Sequence, residues 1–211
     1  MAIDENSHDI APSSAPSKAF KWAAYNRPCL GERVSGDVAI AVPMGVKLLI
    51  VLIDVLGHGA EAHSLAREMA DYVSRLPVAV PSTMIENLHK AFKGSRGAAA
   101  GCAVLDASNH GVVFAGVGNP SFRILSSSQS MTLPVSDGII GREIRSLKDH
   151  STQLLAEDLL IACSDGVAEN FQVADYPQIF SHGEQSIVRS VVRRFGKDYD
   201  DATCLVVRRP K

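Results

Sequence analysis

Two apolar runs in this chain each end on an aspartate and then turn sharply: LLIVLIDVLGHG, which carries Asp54, and DLLIACSDG, which carries Asp165. The unbroken Val/Leu/Ile content of Val46 to Ile53 predicts a strand buried on both faces, and the glycines behind Asp54 predict a tight turn at its exposed end. A strand of this kind delivers a carboxylate to the edge of a sheet, which is one way to assemble a metal site. Asp37 in SGD and Asp200 in DDAT stand beside further apolar strand-like runs. Four acids converging on one low-dielectric edge repel one another strongly unless cations offset the charge, so the pattern points to a divalent-metal enzyme.

The remaining periodicities supply the frame. Lys21 to Tyr25 and Val38 to Val42 read as strands, and a turn at Pro43 to Gly45 pairs the second with Val46 to Ile53 as a hairpin. From Ala60 to Leu76 the apolar positions Ala62, Leu65, Ala66, Met69, Val73 and Leu76 recur at helical spacing, and Pro77 ends the helix. A second helix is expected to start at Thr83, with Glu86 completing a capping box, and to bury Ile85, Leu88 and Phe92 before Gly94. Strands follow at Ala98 to Leu105, Gly111 to Gly116, Ser121 to Leu125, Ser151 to Leu155 and Leu159 to Cys163. A helix from Glu184 to Phe195, stopped by Gly196, and a strand from Ala202 to Val207 close the chain. Helices grouped in two regions around mostly antiparallel strands argue for an α+β layered sandwich rather than an alternating parallel fold.

The 211 residues suit one domain with a sizeable core, expected over residues 19 to 211, behind a Ser/Pro/Ala-rich flexible tail over residues 1 to 18. That tail has acids near its start and no apolar centre, so it does not read as a secretory signal. A net charge of -2 leaves no basic footprint for nucleic acid. The longest strongly apolar run, Leu48 to Ile53, is six residues, whereas a membrane-spanning helix needs about 20. The four cysteines form no CxxC pair and are expected to be reduced thiols of a cytoplasmic protein. None has an arginine six positions later, which excludes a cysteine phosphate loop, and His58 and His63, five residues apart, diverge around a helix and lack zinc-site spacing. Aspartates as the principal candidate ligands favour hard ions such as Mg2+ or Mn2+.

The ordered elements SGD (Ser35 to Asp37), DVLGHG (Asp54 to Gly59), GNP (Gly118 to Pro120), SDG (Ser164 to Gly166) and DDAT (Asp200 to Thr203) resemble the SpoIIE/RsbX branch of the PPM, or protein phosphatase 2C-like, metal-dependent serine/threonine phosphatases. They span nearly the whole chain from about residue 20. The resemblance implies a four-layer α-β-β-α sandwich of two antiparallel sheets, holding two Mn2+ or Mg2+ ions between the sheets. Carried over by position, Asp37, Asp54, Asp165 and Asp200 are the catalytic metal-binding carboxylates, with Asp37 and Asp54 bridging the ions. Val55 supplies a backbone carbonyl where the family usually has glycine. Asp201 competes with Asp200 for the ligand role, and strand alternation allows only one of the two to face the ions. Gly138 and Gly141 of PVSDGIIG are expected to be structural. His58 is expected either to act on the leaving group or metal-bound water, or to cap the following helix. Asn119 is expected to be a turn residue, and Arg27 and Arg33 stay outside the catalytic set.

The implied reaction is attack of a metal-activated water on phosphorus, in line with the departing serine or threonine oxygen. With no room for a sensor domain, the chain looks most like the stand-alone RsbX-type members. The expected partner is then a phosphorylated STAS-domain protein, either a stressosome component or an anti-anti-sigma factor, in a bacterial stress-response pathway. A non-catalytic phosphoprotein-binding pseudophosphatase and a two-metal phosphoesterase for small molecules are the competing readings.

Overall fold

The computed structural model describes residues 8–10, 19–126, 130–168, 171 and 175–210, with side chains described from residue 19 onward. Two antiparallel sheets face each other. One contains, in spatial order, β1 (His8–Ile10), β2 (Lys21–Arg27), β13 (Ala202–Arg208), β12 (Leu159–Cys163), β7 (Ser121–Leu125) and β8 (Ser130–Thr132). The other runs β11 (His150–Gln153), β6 (Gly111–Val117), β5 (Ala98–Asp106), β4 (Lys47–Val55) and β3 (Asp37–Met44). A two-stranded ribbon, β9 (Gly138–Ile139) with β10 (Glu143–Ile144), stands apart. Helices α1 (Gly59–Arg75) and α2 (Pro81–Ala91) cover the five-stranded sheet, while α3 (Pro177–Phe180) and α4 (Glu184–Phe195) lie against the other. The expected α-β-β-α sandwich is the fold observed.

Side-chain alternation along β4 shows how one sequence serves two layers. Leu48, Ile50 and Leu52 enter the core between the sheets, joined by Phe114, Phe122, Leu160 and Leu205. Leu49, Val51, Ile53 and Val55 point the other way, onto Ala62, Ala66, Met69 and Val73 of α1 and Ile85 and Leu88 of α2. The same alternation in β12 sends Leu160 and Ala162 to the inter-sheet core and Leu159, Ile161 and Cys163 towards Ile187, Val188 and Val191 of α4. Period-two strands that are apolar on both faces therefore form the middle layers, and period-3.6 stripes form the outer ones.

One expectation needs correction. The second helix begins at Pro81, not Thr83, with Val80 at its N-cap and no side-chain cap, so the Thr83/Glu86 capping box does not form. Proline suits the first helical turn because its missing N–H would be unpaired there in any case. Ser82 instead gives both its N–H and its hydroxyl to Asp149, at 2.9 and 2.7 Å. Gly196 ends α4 as expected, with φ -70. The tail expected over residues 1 to 18 lies outside the described residues, except that His8–Ile10 pair antiparallel with β2 as an edge strand. Among the described residues no helix is long and apolar enough to cross a membrane, and all four cysteines are free and buried.

Candidate metal centre

Asp37 opens β3 and sits directly across the ladder from Asp54, near the end of β4. Both occupy the alternation that faces the opposite sheet, since Ala39 and Ala41 follow Asp37, and Leu48, Ile50 and Leu52 precede Asp54, on that side. The other sheet contributes Asp165, just past β12, and Asp200, just before β13. Strands β12 and β13 are neighbours whose ends coincide, Cys163 lying opposite Cys204. Gly166 allows the two aspartate turns to meet: a Cβ there would fall 1.8 Å from the Asp201 carbonyl oxygen, closer than any side chain permits. Four acids from two sheets thus converge at one edge of the sandwich.

Their electrostatics follow from that placement. Burial, then the Asp54 charge, push the Asp37 carboxyl well above the usual carboxylate range, although hydroxyls of Ser164 and Thr203 hydrogen-bond to it. The Asp54 carboxyl is pushed up to about 8, by burial first and then by Asp165, Asp200 and Asp201. Burial and Asp165 also raise Asp200. A positive charge at this point would reverse each of these shifts.

The non-acidic letters of the motifs hold Asp37 in place. Asn26, on β2, directs its amide nitrogen towards Ser35 Oγ at 3.0 Å, the Asp37 carbonyl at 3.0 Å and Thr203 Oγ1 at 2.7 Å. Ser35 Oγ in turn accepts the Asp37 N–H at 3.0 Å, and Ser164 Oγ accepts the Thr203 N–H at 3.0 Å. This buried network stitches the sheets together beside the acids, and hydrogen bonds buried in this way fix geometry.

The two adjacent aspartates divide their roles. Asp201 is 3% exposed and accepts the N–H groups of Cys29 and Gly36, at 2.8 and 2.7 Å. It anchors the loop that leads into Asp37. Asp200 is half-buried, caps the following N–H at 3.0 Å and faces Asp165.

Whether the set suits a divalent cation can be judged from its donors. Asp37 Oδ2 is buried with no hydrogen-bond partner among the described residues. A buried carboxylate oxygen of this kind stays ionised only beside a counter-charge. Carboxylates, with water completing the shell, are the donors that Mg2+ and Mn2+ prefer. The residues therefore fit the ion expected. Among the described residues no three His, Cys, Asp or Glu side chains form a tight preformed cluster, so the acids are a loose constellation rather than a closed cage. Val55 ends β4 with its side chain buried against the helices and its N–H bonded to the Gly36 carbonyl at 3.2 Å.

Several residues in this region carry little signal in the sequence. Asn119, expected to be a turn residue, donates its amide N–H to Asp165 Oδ2. Its place in GNP was the available clue. Lys197 gives its ammonium to the Asp165 carbonyl at 2.5 Å, with nothing in its surroundings to announce it. His58 makes no side-chain cap; its Nδ1 donates to Glu32 at 2.9 Å, while His63 Nδ1 donates to the Ser35 carbonyl at 2.9 Å. Arg27 is committed to Asp198 at 3.1 Å and the Lys197 carbonyl at 2.6 Å. Arg33 is exposed and shares with Arg27 and Glu32 a cavity of about 320 Å³. Gly138 opens β9 and Gly141 lies in the turn between β9 and β10, both at positive φ.

A two-sheet sandwich with carboxylates of both sheets at one edge, flanked by helices on the outside, is the architecture of PP2C-like phosphatases. Residues 45–210 match the family model described as stage II sporulation protein E (SpoIIE). The chain belongs to the SpoIIE family, and with it to the PP2C-like serine/threonine protein phosphatases. Among solved structures it is similar to one described under the bacterial stressosome as a modular system adapted to control secondary messenger signaling, at TM-score 0.82 and 24% identity over 90% of this chain and 99% of that one. It is also similar to RsbX in complex with magnesium, at TM-score 0.78 and 21% identity over 92% and 98%. The PP2C phosphatase domain of SpoIIE from Bacillus subtilis matches at TM-score 0.74 and 24% identity over 96% and 71%. No curated protein matches the sequence.

Proposed function

We propose that this chain removes phosphate from serine or threonine of a phosphorylated STAS-domain protein, a stressosome component or an anti-anti-sigma factor, in a bacterial partner-switching pathway. Family membership supports the reaction class. The partner class is supported by neighbours described as a stressosome structure, as RsbX and as the RsbU and RsbW domains of Rv1364c from Mycobacterium tuberculosis. In this reading residues 19 to 211 form one catalytic unit working in the cytoplasm. The observation that carries it is Asp37, buried with an unpartnered oxygen directly opposite Asp54.

Asp37, Asp54, Asp165 and Asp200 would hold two Mn2+ or Mg2+ ions, with the Val55 carbonyl beside them. Bound there, the ions supply a water of lowered pKa and a counter-charge for the phosphoryl group. The chain's own contribution is placement. Asn26, Ser35, Ser164 and Thr203 hold Asp37 from below, and Asn119 and Lys197 fix Asp165 through its side chain and its carbonyl. Asp201 clamps the 29–36 loop against the acids, closing one side of the site.

The test is phosphate release from a phosphoserine-bearing STAS-domain protein with Mn2+, with EDTA, and with Asp54→Asn or Asp165→Asn. Metal-dependent release abolished by either substitution is expected. Binding of the phosphoprotein without release under any metal would make this a pseudophosphatase, and turnover confined to nucleotides or sugar phosphates would make it a small-molecule phosphoesterase.

A further inference from the structure

The turn after Asp54 has an arginine lying across it. Gly57 adopts φ +81, and a Cβ on it would fall 2.8 Å from Nη2 of Arg96. The Gly57 carbonyl oxygen lies 3.1 Å from where a Cβ on Gly36 would stand. One turn residue therefore has the Arg96 guanidinium on one side and the Gly36–Asp37 segment on the other. The loop that carries Arg96, between α2 and β5, is pinned by Gly94 N–H to the Gly141 carbonyl at 2.9 Å and by Leu56 N–H to the Gly97 carbonyl at 3.0 Å. The backbone that carries Arg96, whose side chain is 35% exposed, is thereby fixed beside the turn that follows Asp54.

The hydrogen-bonding capacity of the guanidinium is not used up there. Arg96 Nη1 is buried and has no hydrogen-bond acceptor among the described residues. The nearest carboxylate is Glu61 Oε2, at 3.7 Å, too long for a hydrogen bond, on a side chain 91% exposed. A buried guanidinium nitrogen without an acceptor is unfavourable, and a long pair to a solvated glutamate compensates it poorly. A planar fork with a free nitrogen, beside acids suited to hold cations, matches the oxygens of a phosphoryl group.

We propose that Arg96 binds the phosphoryl group of the phosphoprotein substrate, with Glu61 occupying the guanidinium in the absence of substrate and giving way to it. The proposal rests on the phosphatase reading for the identity of the anion, but the anion site itself can be tested apart from turnover. No covalent step is involved: Arg96 positions phosphate by hydrogen bonds, and Glu61 competes for the same nitrogen.

Equilibrium dialysis of radiolabelled inorganic phosphate against the whole chain, with Mn2+ and with EDTA, is the direct experiment, run beside steady-state turnover of a phosphoserine protein. Arg96→Ala should weaken phosphate binding, and raise KM for the phosphoprotein, by roughly tenfold to a hundredfold. Arg96→Lys should recover part of the loss, since charge is kept and the fork is not. Glu61→Gln should tighten phosphate binding severalfold; because Glu61 is so exposed, this variant decides the matter even if Arg96→Ala fails to fold. Phosphate affinity unchanged in these variants, or no phosphate binding by the wild type with Mn2+, overturns the proposal. Phosphate binding that depends on Arg96 in a protein that leaves the phosphoserine protein intact would keep the anion site and sink the phosphatase reading instead.

Discussion

Replacing Asp54 by asparagine should make the metal-free protein more stable while destroying its function. The Asp54 carboxyl is raised from the ordinary 3.8 to about 8, by burial first and then by Asp165, Asp200 and Asp201. A raised folded-state value means that the native protein holds a proton that the unfolded chain releases as pH climbs from about 4 to 8. Native stability therefore falls through that window and levels off above it. At about 1.36 kcal/mol per unit, the ceiling at pH 8 is roughly 5 to 6 kcal/mol. Asp165 and Asp200 share the same repulsion and relieve part of it by taking up protons themselves, so about half of that ceiling, ~3 kcal/mol, is a reasonable expectation.

Asparagine removes the charge and offers an N–H where Asp165 offers an acceptor. For a chain of this size about 2–4 °C accompanies each kcal/mol, so Asp54→Asn should melt roughly 6–12 °C above the wild type at pH 8 in EDTA. At pH 5 the native carboxyl is still protonated and the gain should shrink to about 2–3 °C. Addition of Mn2+ should reverse the order. Wild type should rise in melting temperature if the ions bind the folded state through these acids, whereas the variant, with one proposed ligand carboxylate gone, should gain little. Calorimetry of both proteins at the two pH values, with EDTA and with millimolar Mn2+, reads all four quantities. An EDTA-treated variant no more stable than wild type at pH 8, or equally stabilised at pH 5 and pH 8, would refute the claim that these acids repel one another in the folded chain.

The neighbouring aspartates should separate cleanly: Asp201→Asn loses the charge behind its bonds to Cys29 and Gly36 N–H and should lower stability by about 1.5–3 kcal/mol in urea unfolding. Asp200→Asn should leave stability equal or higher and instead weaken Mn2+ affinity measured by titration calorimetry; the opposite assignment of effects would exchange their roles. Thr203→Val takes away the nearest oxygen that Asn26 Nδ2 can reach and should cost about 1–3 kcal/mol, visible as a drop in denaturation midpoint with unchanged m. Gly166→Ala should fail to give folded protein, because its Cβ would meet the Asp201 carbonyl at 1.8 Å; a well-folded variant by circular dichroism would show that the two aspartate turns can move apart.

What could be read in the sequence was whatever depends on local periodicity. The two-faced β4 strand, the stripe of α1 and the extent of α4 follow from spacing alone, and their observed limits, Lys47–Val55, Gly59–Arg75 and Glu184–Phe195, lie within two residues of those expected. The start of α2 was missed because Thr83 and Glu86 have capping-box spacing, while a proline at position 81 and a partner 67 residues away at Asp149 decide the matter. The acids were legible for a related reason: each closes or opens an apolar strand, so position along the chain predicts position on the sheet edge. Asn26, Asn119, Lys197 and Arg96 were not, since the groups they meet lie elsewhere in the chain and come near only through the tertiary fold. The pair Asp200 and Asp201 shows where the boundary falls. Alternation says that one of them turns towards the acids, but only the Cys29 and Gly36 amides, brought in from β2 and β3 by the packing of the two sheets, determine which one is already occupied. The same packing supplies Asp37 with Ser164 and Thr203 from the far sheet, so the acids alone do not define the candidate centre; it also requires the buried polar network that keeps the two sheets in register beside them.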